Sequence, residues 1–152
     1  FYVKYRNKFW NLLAKSLLYN PMLPGHVVAS FAKRLLRVTL AAPPPAALFS
    51  LALVSNLLRK FPEAMSCLIH RSGGDEMEDP FDGETSDPAK TRALESSLWE
   101  LHVLERHYFA PIATMAKSIG RDEDKTPMHN LDDFLSLTYK ALFDQERKRK
   151  RK

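Results

Sequence analysis

The 152 residues carry 23 Lys and Arg against 18 Asp and Glu, a formal net charge of +5. Six of those cations stand in the run Arg147 to Lys152, leaving the rest of the chain close to neutral, which excludes a single enveloping positive field of the kind that coats nucleic acid. One cysteine, Cys67, excludes an internal disulfide, and no apolar run reaches the roughly 18–20 residues of a membrane-spanning helix, since residues 40–58 are cut by Pro43-Pro44-Pro45.

Residues 1 to 19 place Tyr2, Tyr5, Phe9, Leu12 or Leu13, and Leu17 on one face, the spacing of an amphipathic helix. Pro21 and Pro24-Gly25 end it. Val27, Phe31, Leu35 and Val38 restart the period in a second helix, where Lys33, Arg34 and Arg37 form a basic edge. The triple proline is a hard break that also suits the first turn of a third helix, running to about Phe61 and apolar nearly all round. Such a helix is expected to be buried on more than one side. Pro62 opens a shorter fourth helix through Met65, Leu68 and Ile69, ending near Gly73-Gly74.

Residues 72–89 show no periodicity, strong acidity and several turn formers, so they are read as a loop. Asp87 then caps, and Pro88 begins, a helix expected to run unbroken to Tyr108 with Leu94, Leu98, Leu101 and Tyr108 along one stripe. This is the most regular apolar pattern of the chain, and it reads as the central helix on which both halves pack. Pro111 restarts a short helix over 112–119, closed by Gly120. Asn130 caps a last helix whose stripe is Leu131, Phe134, Leu135, Thr138, Leu142 and Phe143, with Asp133 in the place of a capping-box acid.

Alternating β-branched runs bounded by hairpin turns are absent from the sequence. The expected architecture is all-α, antiparallel helix pairs in a HEAT- or armadillo-like α-solenoid segment, with a compact bundle as the other arrangement. One helical domain is expected over 1–146, as a fragment of a longer chain, with 147–152 as a basic tail.

Catalysis and metal binding lack a candidate. His102 and His107 are five residues apart, about 140° around a helix, and cannot readily share an ion. Ser96-Ser97 lacks the glycine-flanked elbow of a nucleophilic serine, and no glycine-rich loop cradles phosphate. Glu95, Glu100 and Glu105 advance by five, around the helix, and read as solvated charges, Glu95 and Glu100 at most making salt links to partner helices. No cofactor, small-molecule substrate or membrane surface is expected. Two stretches have binding chemistry: Arg147, Lys148, Arg149, Lys150, Arg151 and Lys152 suit an import signal or RNA phosphates, and Phe81 stands among the carboxylates of Asp79-Pro80-Phe81-Asp82 as an aromatic anchor.

Residues 23–44 (Leu-Pro-Gly-His-Val-Val-Ala-Ser-Phe-Ala-Lys-Arg-Leu-Leu-Arg-Val-Thr-Leu-Ala-Ala-Pro-Pro), Cys67-Leu-Ile-His-Arg71, Asp79-Pro-Phe-Asp82, Leu94-Glu-Ser-Ser-Leu-Trp-Glu-Leu101 and His107-Tyr108 together resemble the CCAAT-binding-factor-type domain of the nucleolar complex proteins. Each motif alone is weak, whereas the ordered set covers most of the chain. The chain departs from that pattern at Phe109-Ala110-Pro111, where the family continues His-Pro, and in a longer, more acidic stretch over 71–78.

The resemblance implies a non-enzymatic scaffold of the nucleus and nucleolus, acting in the small-subunit processome, ribosomal RNA processing and pre-40S maturation, with nucleolar protein 14 and other processome factors as partners. It assigns Asp79, Pro80, Phe81, Asp82 and Trp99 to a structural motif or partner interface, with Asp79 or Asp82 expected to cap a neighbouring helix and Phe81 to plug a gap near Trp99. The alternative is a direct pre-rRNA-binding module, using Lys4, Arg6, Lys8, Lys33, Arg34 and Arg37 as a basic face together with the tail.

Overall fold

The computed structural model describes residues 4–69, 78–119 and 127–150. Helices α1 (Arg6–Leu18), α2 (Gly25–Thr39), α3 (Pro44–Lys60), α4 (Pro62–Ile69), α5 (Glu100–Leu104), α6 (Ala110–Ser118), α7 (Leu131–Leu135) and α8 (Tyr139–Arg149) pack on one another, and no strand occurs among the described residues. The fold is all-α and α-solenoid-like.

The organising element is α3 and not the segment after the acidic loop. Pro43 is extended, Pro44 starts the helix without losing a needed amide bond, and every residue from Pro45 to Val54 is buried. Because α3 is apolar around its circumference, it packs against α1, α2, α4, α6, α7 and α8. Asn56 is its main buried polar side chain, and it bonds both the amide and the carbonyl of His129, at 2.8 and 2.9 Å. That pair ties the approach to α7 onto α3.

Three expectations are corrected. The unbroken helix from Pro88 to Tyr108 is instead two 3₁₀ turns, Pro88–Lys90 and Ala93–Glu95, followed by the five-residue α5. Asp87 does cap, accepting from the Ala89 amide at 3.0 Å, but Arg92 sits in the left-handed region at φ 56° and Ser96 is extended. The last helix is likewise two, because Thr138 turns extended and recaps the chain through the Ala141 amide. Arg147, Lys148 and Arg149 continue the last helix as the final turn of α8; Arg151 and Lys152 lie outside the described residues, as do Gly120 and the Gly73-Gly74 stop.

The third correction concerns faces. In α1 the core takes Trp10, Ala14, Leu17 and Leu18, while Tyr5, Phe9 and Leu12 stay exposed. In α2 it takes Val28, Ala29, Ala32 and Leu36, while Phe31 and Val38 stay exposed. Both helices thus have two apolar faces, and the stripe read in sequence straddles them: Leu17 is buried and Leu13 and Leu35 pack against the core, while Tyr5, Phe9, Phe31 and Val38 face outward.

Candidate functional site

Residues 78–99 form a strap laid across α2 and the end of α4. Main-chain bonds from Asp82 N to Thr91 O (2.8 Å) and from Leu98 N to Leu68 O (3.0 Å) close it on itself and fasten it to α4. On α2, the Ser30 and Thr91 hydroxyls lie 2.6 Å apart, and Arg34 donates to the Thr85 carbonyl.

Under the strap lies a cluster of two cations and two carboxylates. Lys33, completely buried, projects from α2 with its Nζ 2.8 Å from Glu100 Oε1, 2.9 Å from Asp79 Oδ2 and 2.6 Å from the Ser97 carbonyl. Arg37, one turn on, donates to Asp79 Oδ2 at 2.9 Å and brings its Nε within 3.5 Å of Glu100 Oε1. Asp79 also accepts from the Trp99 indole at 2.7 Å, from the Phe81 amide at 3.1 Å and from the Ser96 hydroxyl. Aromatic rings complete the enclosure: Lys33 Nζ lies 5.1 Å from the centroid of Trp99, and the Arg37 guanidinium 4.8 Å from that of Phe81.

The two carboxyls are shifted in opposite directions. Burial pushes Asp79 upward, but the bonds from Ser96, Lys33, Trp99 and the Phe81 amide outweigh it and hold the group far below the ordinary carboxylate range. Glu100 is completely buried, and that burial wins, raising it despite Lys33. A buried quartet of this kind is costly to desolvate and holds only if its members satisfy one another. The arrangement can fix the strap, its charges turned mainly onto one another.

The site residues expected from sequence fare unequally. Asp79, Phe81 and Trp99 meet here, with Phe81 buried. Asp79 caps no helix; it gathers donors from α2 and the strap. Asp82 makes a local turn, accepting from the Glu84 amide at 2.9 Å. Pro80 is half-buried beside them. The basic edge expected for RNA is corrected: Lys33 is sealed from solvent, Arg37 is turned onto Asp79 and Glu100, and Arg34 is bonded to the strap. Glu100 is not a solvated charge but the most enclosed acid of the site, making the salt link to a partner helix that its position allowed. Ser97, expected from the family wording to help hold the loop on the helices, does so through its carbonyl, which accepts from Lys33, whereas Ser96 was missed; Lys33 standing among α2 positions three and four apart from Ala29, Ser30 and Leu36 was the available signal that it faces inward. Among the described residues, no group of three or more His, Cys, Asp and Glu is placed to hold a metal ion, and no helix is long and apolar enough to cross a membrane.

A sequence model of the CBF/Mak21 family matches residues 1–116, which takes in α1 to α5, the strap, the buried quartet and most of α6. The chain is 44% identical over 151 residues to a human nucleolar complex protein 4 homolog, covering 99% of this chain and 29% of that protein. It is 43% identical over 152 residues to homolog A of Xenopus laevis, and 37% identical over 168 residues to nucleolar complex protein 4 of Saccharomyces cerevisiae, again covering 99% of this chain but only 28% and 30% of those relatives. The chain therefore spans less than a third of the length of the proteins it matches.

Proposed function

The chain belongs to the CBF/Mak21 family, and on that premise we propose that it is the helical scaffold segment of a nucleolar ribosome-biogenesis factor, working in the small-subunit processome through protein–protein contacts and not as an enzyme. The relatives are named as nucleolar complex proteins, which supports placing this chain in the nucleolus. Their names do not specify a ribosomal subunit or a partner; nucleolar protein 14, ribosomal RNA processing and pre-40S maturation are proposed from the family resemblance.

The observation that carries the scaffold reading is the buried quartet. Asp79 and Phe81 of the strap and Glu100 of α5 spend their polar and aromatic groups on Lys33 and Arg37 of α2, with Ser96 bonded to Asp79, so they brace the fold and leave partner binding to other surfaces. Mixing the protein with nucleolar protein 14 and following size-exclusion chromatography with light scattering, at low and high salt, tests the reading. A stoichiometric complex that survives high salt is expected; none, with the protein folded, refutes it.

A second reading, direct contact with pre-rRNA, is favoured by one feature. The last turn of α8 exposes Arg147, Lys148 and Arg149. RNA affinity that falls steeply with salt and vanishes when these three become Ala would support it.

A further inference from the structure

We propose that the open groove between α1 and α2 receives an amphipathic helix of a protein partner, apolar along its docking face and acidic along its flanks. The inference rests on the scaffold reading and names the surface through which it acts. Tyr5, Phe9 and Leu13 of the α1 side face Phe31, Leu35 and Val38 of α2 across a cavity of about 500 Å³. Tyr5 is 65% exposed, Phe9 59% and Val38 52%. Isolated exposed apolar residues are ordinary, but a contiguous concave set of aromatic and aliphatic side chains on two adjacent helices is the form of a binding groove.

Shape and charge select the occupant. No sheet edge exists among the described residues, so an extended peptide has no strand to pair with; a groove between two helices is filled by a third, with anchors spaced at i, i+3 or i+4, and i+7. The rim is basic: Arg6 lines the α1 side and Arg34 the α2 side, and residues 1–62 contain no Asp or Glu. Lys4 already lies 5.7 Å from the centroid of Tyr5, bringing positive charge to the edge of the apolar lining. Glutamates beside the anchors complement that rim, and lysines there oppose it. Single-stranded RNA also combines aromatic and basic contacts, but Leu13, Leu35 and Val38 give this lining an aliphatic floor without the polar groups that hold bases.

Fluorescence polarisation with the intact protein tests the proposal. The probes are a labelled helical peptide with Leu at successive i, i+3/i+4, i+7 positions and Glu beside them, the same peptide with Lys in place of Glu, and a uridine oligonucleotide. The acidic peptide is expected to bind about tenfold more tightly than the basic one, and to lose about tenfold on Phe9→Glu or Val38→Glu, exposed positions whose melting temperatures stay near wild type. Equal binding of the two peptides, affinity unchanged in both folded variants, or displacement of the peptide by the oligonucleotide overturns it. The scaffold reading fails separately, if wild-type protein takes the acidic peptide yet forms no complex with the partner proposed above.

Discussion

Lys33→Met tests whether the buried charges hold one another in place. The substitution keeps much of the aliphatic stem and removes the ammonium that stands within 2.9 Å of both Glu100 and Asp79. Asp79 retains Arg37, the Trp99 indole, the Ser96 hydroxyl and the Phe81 amide, so the orphan is Glu100, left with its own backbone amide and with Arg37 Nε at 3.5 Å. Breaking a buried pair from one side costs about 3–5 kcal/mol. At about 2–4 °C per kcal/mol for a domain of this size, the melting temperature falls by about 6–20 °C. Urea unfolding at pH 7 and pH 5 of wild type, Lys33→Met and Lys33→Met/Glu100→Met measures it. Burial already raises Glu100 above its ordinary 4.5, and removing Lys33 raises it further. The native state then keeps a proton that the unfolded chain releases, so the variant gains stability as pH falls towards 4.5 and its deficit narrows at pH 5. The double variant has no orphan charge and returns to within about 1.5–3 kcal/mol of wild type, the worth of the charge-assisted bond the Ser97 carbonyl loses. A double variant as unstable as the single one, or a deficit independent of pH, refutes the reasoning.

Phe81→Ala is expected to cost about 3–5 kcal/mol, because it empties a buried site beneath Arg37; an unchanged melting temperature would show that the strap is not anchored there. Asp79 is held below its ordinary 3.8, so it stabilises the fold fully above that value and progressively less as pH falls beneath it. Asp79→Asn should therefore be less stable at neutral pH and show a flatter acid limb below pH 3.8 in chemical denaturation than wild type, while identical limbs would count against the ion cluster. His129 is pushed below its ordinary 6.5 by burial and by Arg59, so the unfolded chain takes up the proton first and stability drops as pH falls below 6.5. His129→Gln should flatten that drop between pH 7 and pH 5 without loosening the loop, since both bonds to Asn56 use the main chain.

What was legible in the sequence followed from strong, local signals. The triple proline and the all-round apolar run gave α3, and Asp87 and Asn130 cap where their side chains predict. Helical periodicity located a stripe on α1 and on α2 but did not choose its direction, because each helix carries a second, smaller apolar face. The inner faces use Ala14, Ala29 and Ala32, small residues that let α1 and α2 approach the core closely and that weigh little in any hydrophobic pattern. The buried quartet was illegible for a different reason. Lys33 meets its carboxylates 46 and 67 positions along the chain, and a lysine beside two arginines reads as a solvated edge until that distant acidic segment is folded over it.

The break in the expected central helix comes from the same cluster. In a continuous helix the Ser97 carbonyl would be committed to the amide of Leu101, and the Leu98 amide to the carbonyl of Leu94. The break instead leaves Ser97 free to accept from the Lys33 ammonium at 2.6 Å and Leu98 free to donate to Leu68 of α4 at 3.0 Å. A hydrogen bond to a charged group is worth about 1.5–3 kcal/mol, whereas the intrinsic helix preference forgone at an ordinary residue is below about 0.7 kcal/mol. Ser96 and Ser97 make the exchange easier still, since serine hydroxyls compete with the main chain for its partners, and Ser96 turns its own onto Asp79. Tertiary electrostatics thus outweighs a regular apolar period at the point where Ser97 and Leu98 meet α2 and α4.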